Sequence, residues 1–155
     1  MSSRIIIGIG RICISIIFIL IGVSAIFQWD VARLELSNAL SNWKLYVGQT
    51  DVLAEFIETL ITVIPLLIIL GISLQVLGGA LLFFGIYVRL AAFLLVVYVI
   101  CMTVTYQYFW FLKGGAMSRS LVLFLKNLAI LGGLLGYLGY GGKNSSSKEE
   151  IISDD

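Results

Sequence analysis

The sequence predicts an all-α membrane protein, a bundle of four transmembrane helices with short interfacial helices in the first loop. Three observations predict it. Hydrophobic residues make up 60% of the 155-residue chain and charged residues only 12%, against roughly 25% charged in an ordinary soluble domain. A fold this small cannot bury such an excess, because its surface-to-volume ratio is high. The apolar residues gather into four runs, each close to the ~20 helical residues that cross a ~30 Å hydrocarbon core. None of the runs alternates polar and apolar positions as barrel strands do.

The four spans are expected at about 5–27, 60–84, 89–111 and 121–140, within a transmembrane domain covering residues 1–142. The first is read as a retained span rather than a signal peptide. Arg11 sits inside the run, the run is too long for an ordinary signal core, and no clean cleavage site follows. Pro65 falls near the start of the second span, where a missing N–H is cheap. Residues 85–88 barely separate the second and third spans, which predicts a tight antiparallel hairpin. "LKGGAMSRS" is expected to be the loop between the third and fourth spans.

The stretch between the first two spans is longer and carries Trp29, Leu36, Leu40 and Trp43 among charges and amides. Tryptophan is enriched where lipid meets water, so short helices along the interface are expected there, acting as an amphipathic cap or a binding lid. Residues 143–155, serine-rich and acidic at the end, are expected to be a disordered tail. With both termini cytoplasmic, Arg4, Arg11, Arg89, Lys143 and Lys148 lie inside, against Arg33, Lys44, Lys113 and Arg119 outside. That thin positive-inside bias favours a cytoplasmic membrane with cytoplasmic termini.

Residue counts prune the chemistry. Cys13 and Cys101 stand alone, with no C-x-x-C pair for thiol exchange, and are expected to be small buried hydrophobes. There is no histidine, so no histidine-held haem or zinc site and no Ser-His-Asp triad is expected. "GIGR" is too short for a phosphate cradle. No catalytic residue, metal ligand or nucleic-acid partner is assigned, and no independent turnover is expected.

What remains is the set of polar residues placed in lipid, each costly enough to need a partner. Sorted by depth, they form two candidate ligand or partner sites. Arg11, Gln75 and Arg89 make an inner group, with Arg11 expected to pair with Gln75 and to favour an anionic headgroup or acidic segment. Glu58, Tyr106, Gln107, Lys126 and Asn127 make an outer group. Interhelical hydrogen bonding and snorkelling are the plainer roles for both. Gly132, Gly136 and Gly139 recur at spacings that share one helix face. With Gly78 and Gly79, they are expected to let helices pack closely.

Three segments carry a resemblance. "GRICISIIFILIGVSAI" from Gly10, "LQVLGGALLFFGIYVRLAA" from Leu74 and "FLKNLAILGGLLG" from Phe124 resemble the first helix, the second-to-third hairpin and the fourth helix of the DoxX family. The resemblance implies a small multi-pass inner-membrane protein, with some members associated with quinol oxidation or with thiol and oxidative-stress complexes. Eukaryotic relatives resemble cargo receptors and assembly chaperones. Two positions depart from the pattern. Gln75 stands where the family usually has glutamate, and "TYQYFW" stands where a histidine is frequent.

The expected function is an accessory subunit of a quinone-linked membrane oxidoreductase system. Tyr106, Tyr108, Phe109 and Trp110, beside Gln107 and Asn127, are the candidate cradle for a quinone headgroup or lipid. The alternative is a non-enzymatic chaperone or escort that binds membrane proteins or lipids through its glycine faces. Expected partners are membrane lipids, other membrane subunits or a second copy of the chain.

Overall fold

A computed structural model describes residues 2–47 and 51–140; the serine-rich tail lies outside the described residues. Six helices follow in order: α1 (Ser2–Phe27), α2 (Trp29–Val47), α3 (Asp51–Thr62), α4 (Ile64–Phe84), α5 (Val88–Tyr106) and α6 (Gly114–Tyr140). A single 3-10 turn, Phe109–Phe111, lies between α5 and α6. Four helical segments are long and apolar enough to cross a membrane: Ile5–Phe27, Ile64–Phe84, Val88–Phe111 and Gly114–Gly139. The protein is a multi-pass membrane helix bundle.

Two boundaries differ from expectation. The second span begins at Ile64, because the helix breaks at Val63 ahead of Pro65 in the first turn of α4. Proline fits there because the first N–H groups of a helix have no intrahelical partner. The expected loop "LKGGAMSRS" is mostly the start of α6, which begins at Gly114. The joints themselves keep helical hydrogen bonds. Gln28 donates its N–H to Ser24 and accepts from Ala32, and Val63 donates to Thr59 and accepts from Leu67. So α1 runs into α2, and α3 into α4, with no free loop at either joint.

The core of the bundle is a register between antiparallel α1 and α4. A Cβ at Gly79 would lie 3.0 Å from Ile19, 3.4 Å from Phe18 and 3.4 Å from the backbone oxygen of Ser15. A Cβ at Gly22 would lie 2.6 Å from Val76 and 3.6 Å from the Gln75 side chain. Ser15 itself is fully buried and donates to the Arg11 carbonyl. On the other side of α4, Gly78 receives Leu95 of α5. Phe18, Leu82, Ala91, Leu95, Val99 and Leu134 join the four spans in one buried cluster. In lipid such packing depends on backbones approaching closely rather than on hydrophobic drive.

The inner end is closed by two devices. Gly85, at φ 72°, ends α4 in the left-handed conformation and returns its N–H to Leu81 and Leu82, a geometry that favours glycine. The Arg11 guanidinium lies against this turn, where a Cβ would come within 2.6–3.1 Å of it. A cation is favourable at a helix C-terminus. Across the bundle the Tyr137 hydroxyl donates to the Ile7 carbonyl at 2.9 Å, in space left by the missing side chain of Gly10. This contact brings the start of α1 beside the end of α6, so both ends of the described chain lie on one side.

At the other side α2 and α3 form an antiparallel hairpin. Leu36, Leu40 and Ile57 pack with Ile64 and Ile68 of α4, while Lys44 pairs with Glu58. Its far end reaches α5: Asn42 donates to the Tyr108 hydroxyl at 2.8 Å, and Trp43 Nε1–H to the Thr105 carbonyl at 3.0 Å.

The structure corrects the glycine face of α6. Gly132, Gly136 and Gly139 have nothing within 4 Å of a built Cβ and turn away from the bundle. Gly133, off that stripe, meets Ile14 of α1 instead. Cys13 and Cys101 are exposed on the outside of the bundle rather than buried. Gly79→Leu should therefore lower the melting temperature in detergent, by overpacking that typically costs about 1–3 kcal/mol. Gly136→Leu should melt as wild type does. A reversed order would contradict the assigned helix faces.

Candidate functional site

The outer half of the bundle holds a partly open cavity of about 470 Å³, within the range of small-molecule sites. Its walls come from five helices. Phe18, Ile21 and Ser24 of α1 face Ile68, Gly71 and Gln75 of α4; Tyr98, Met102 and Tyr106 of α5, its C-cap Gln107 and Asn127 of α6 complete the sides. Ala32, Glu35 and Leu36 of α2 line its outer end. Their i, i+3, i+4 spacing sets them on one face of α2. Most of the lining is apolar, and the polar groups come from separate helices.

Gln75 is the central feature. It is 2% exposed and lies in the wall of the cavity, eleven residues from the outer end of α4, or about 16 Å at 1.5 Å per residue. Among the described residues its amide has no hydrogen-bond partner. A primary amide at that depth normally costs several kcal/mol unless something bonds it. The neighbouring polar groups are held by protein. Ser120 Oγ donates to Gln107 Oε1 at 3.1 Å, and Asn127 Nδ2 donates to Thr103 Oγ1 at 3.0 Å. These two bonds fix one amide at the end of α5 and one midway along α6 while leaving each with further hydrogen-bonding capacity.

The expected groupings are redistributed. Arg11 does not pair with Gln75. Gln75 lies beside Gly22, whereas Arg11 packs on Gly85, ten residues further along α4, about 15 Å away. Its Nε is buried without a partner among the described residues. Arg89 is exposed at the inner end of α5. The inner group thus supplies no joint site with Gln75. Of the outer group, Tyr106, Gln107 and Asn127 line the cavity. Glu58 does not; it is exposed in α3 and paired with Lys44. Lys126 is exposed, one residue off the face that carries Asn127.

The aromatic cradle also divides. Tyr106 lines the cavity, but Tyr108, Phe109 and Trp110 do not. Tyr108 and Trp110 pack edge-on to Trp43, Tyr46 stacks on Phe111 at 4.9 Å, and Phe109 packs on Phe124. They fasten the end of α2 and the start of α6 around the 3-10 turn. Glu35 and Tyr98 are cavity residues that sequence reasoning missed. The signal for Glu35 was its place between Ala32 and Leu36 on the apolar face of α2.

A family profile described as DoxX matches residues 6–108, from the first turns of α1 to the end of α5. The chain belongs to the DoxX family. Comparison with curated proteins and with solved structures gives no match. The matched DoxX region contains the cavity residues of α1, α2, α4 and α5, while α6 with Asn127 lies beyond it.

At the hairpin of this DoxX protein, the hydrogen bond and charge of Lys44 hold the Glu58 carboxyl below its ordinary value of 4.5. A depressed carboxylate contributes stability above its unfolded value, and that contribution is lost as pH falls through the folded one. Amide exchange in α2 and α3 should therefore quicken as pH falls below about 4.5, after correction for intrinsic exchange. Glu58→Gln should remove that pH dependence. An unchanged profile in the variant would show that the pair does not hold the hairpin.

Proposed function

We propose that this DoxX-family protein is an accessory subunit of a quinone-linked oxidoreductase system in a cytoplasmic membrane, and that its outer cavity holds the quinone headgroup. The single observation that carries the reading is Gln75. A buried amide with no hydrogen-bond partner among the described residues lines a cavity large enough for a substituted ring, and Phe18, Tyr98 and Tyr106 line the same cavity. Such a site binds a head with oxygen atoms in an apolar surround: the amide bonds the oxygens, and the rings and aliphatic chains contact the rest. The family's association with quinol chemistry supports the same direction. The orientation follows the basic residues, with Arg4, Arg11 and Arg89 toward the cytoplasm.

A second reading keeps one observation of its own. Gly132, Gly136 and Gly139 present a small-residue stripe to the outside of the bundle, which suits close approach of another membrane helix. In that reading the protein escorts or anchors a membrane partner without a redox ligand.

Binding of a short-tailed quinone to the protein in lipid nanodiscs, measured in either redox state, separates the two. The first reading predicts saturable binding, weakened about tenfold by Gln75→Leu, the effect of losing a buried hydrogen bond. No binding in either redox state, together with co-extraction of one stable membrane protein, would replace it with the second.

A further inference from the structure

The inner end of the bundle is built as a step. Arg11 lies level with Gly85, where α4 stops. Because α1 runs antiparallel to α4, its residues 2–10 continue past that stop, by about 13 Å at 1.5 Å per residue. Gly8 stands three residues before Arg11, on the same side of α1. A Cβ built on Gly8 meets nothing within 4 Å. Ile5, Ile6, Ile7 and Ile9 around it are 45–65% exposed. The floor of the step is thus the Gly85 turn, and its wall is the apolar start of α1. The Tyr137 hydroxyl, bonded to the Ile7 carbonyl, bounds it on the side of α6.

The Arg11 guanidinium is held in this step. Its Nη1, Cζ and Nη2 lie 2.6–3.1 Å from the position a Cβ would take on Gly85, so only glycine leaves room for it. Its Nε is buried without a partner among the described residues. The group is packed in place rather than snorkelling freely. No described side chain neutralises it. The carboxylates of the described helices all belong to α2 and α3, at the opposite end. Arg89, exposed four residues beyond Gly85, adds a second positive charge to the same end. Arg11 also lies six residues inside the span that begins at Ile5, at a depth where a lone arginine is costly.

The group that fits is a phosphate carried by a lipid. A guanidinium receives phosphate oxygens through paired N–H donors, and the neighbouring isoleucines suit acyl chains rather than a soluble anion. Net charge selects further. A zwitterionic headgroup brings a quaternary ammonium to an end that already holds Arg11 and Arg89, whereas phosphatidylglycerol brings only negative charge. We propose that Arg11, seated on Gly85, binds the phosphate of an anionic phospholipid, in the leaflet on the side of the described chain ends. The headgroup occupies the open step over Gly8, and the lipid joins α1 to the α4–α5 turn. Arg89 acts through its potential alone. The site is separate from the outer cavity and independent of what fills it.

The test is native mass spectrometry of the full chain, delipidated in detergent and titrated with palmitoyl-oleoyl phosphatidylglycerol or with phosphatidylcholine of the same chains. The expected result is a first phosphatidylglycerol bound about tenfold more tightly than phosphatidylcholine, the scale of one charge-assisted hydrogen-bonded contact. Arg11→Met should bring the two lipids to parity. Gly85→Ala keeps every charge but puts a Cβ where the guanidinium lies, and should also reduce the preference. Lys126→Met, on the exposed face of α6, should leave it intact. Equal binding of the two lipids by the wild-type protein overturns the proposal, and so does a preference that survives in both Arg11→Met and Gly85→Ala. Displacement of the lipid by an equal concentration of inorganic phosphate overturns it too, since that marks an anion site open to water. The wild-type comparison decides the headgroup preference even where a variant loses helix content.

Discussion

The close approach of α1 and α4 is the contact on which the rest of the structure depends. Gly79 admits Phe18 and Ile19, and Gly22 admits Val76 and Gln75, so the two backbones run side by side in a fixed antiparallel register. That register puts Arg11 at the C-terminal turn of α4 and Gln75 on the cavity wall. A shift of one residue would turn Gln75 by about 100° around α4. Its amide would then meet apolar side chains or acyl tails, where an unbonded polar group is costly. The glycines thus decide which helix face meets which, and through that where the polar group lies.

The same contact accounts for the cavity. α1 leans on α4 along its length but joins α6 only near the inner end, through Gly10, Ile14, Gly133 and Tyr137. The outer half is left with space that no side chain fills, roofed by α2. The aromatic cluster around Trp43 then holds α2 down on the 3-10 turn that follows α5.

The number of spans was legible because apolar run length maps directly onto membrane thickness. Their joints were less so. The continuation through Gln28 and Val63 leaves no signature in composition, and the glycines and polar residues of "LKGGAMSRS" resemble a loop although they open α6. Periodicity correctly grouped Gly132, Gly136 and Gly139 on one face but could not say which way the face points. Depth alone grouped Gln75 with Arg11, since both can be counted toward the cytoplasm; the α1–α4 register separates them, with Arg11 against Gly85 and Gln75 beside Gly22. Tyr106, Gln107 and Asn127 converge as depth suggested. Glu35 escaped notice because nothing in the sequence says that α2 lies across the cavity, which this exposed carboxylate borders.

The central claim is that Gln75 points into a cavity built to hold a lipid-soluble molecule. The most direct measurement is native mass spectrometry of the protein extracted gently from its own membrane, with identification of what remains bound. The account predicts one retained molecule with a tailed, oxygen-bearing ring, lost from Gln75→Leu while that variant keeps the wild-type helix content. A wild-type protein that carries only annular phospholipid, in the same amount as the variant, would contradict it.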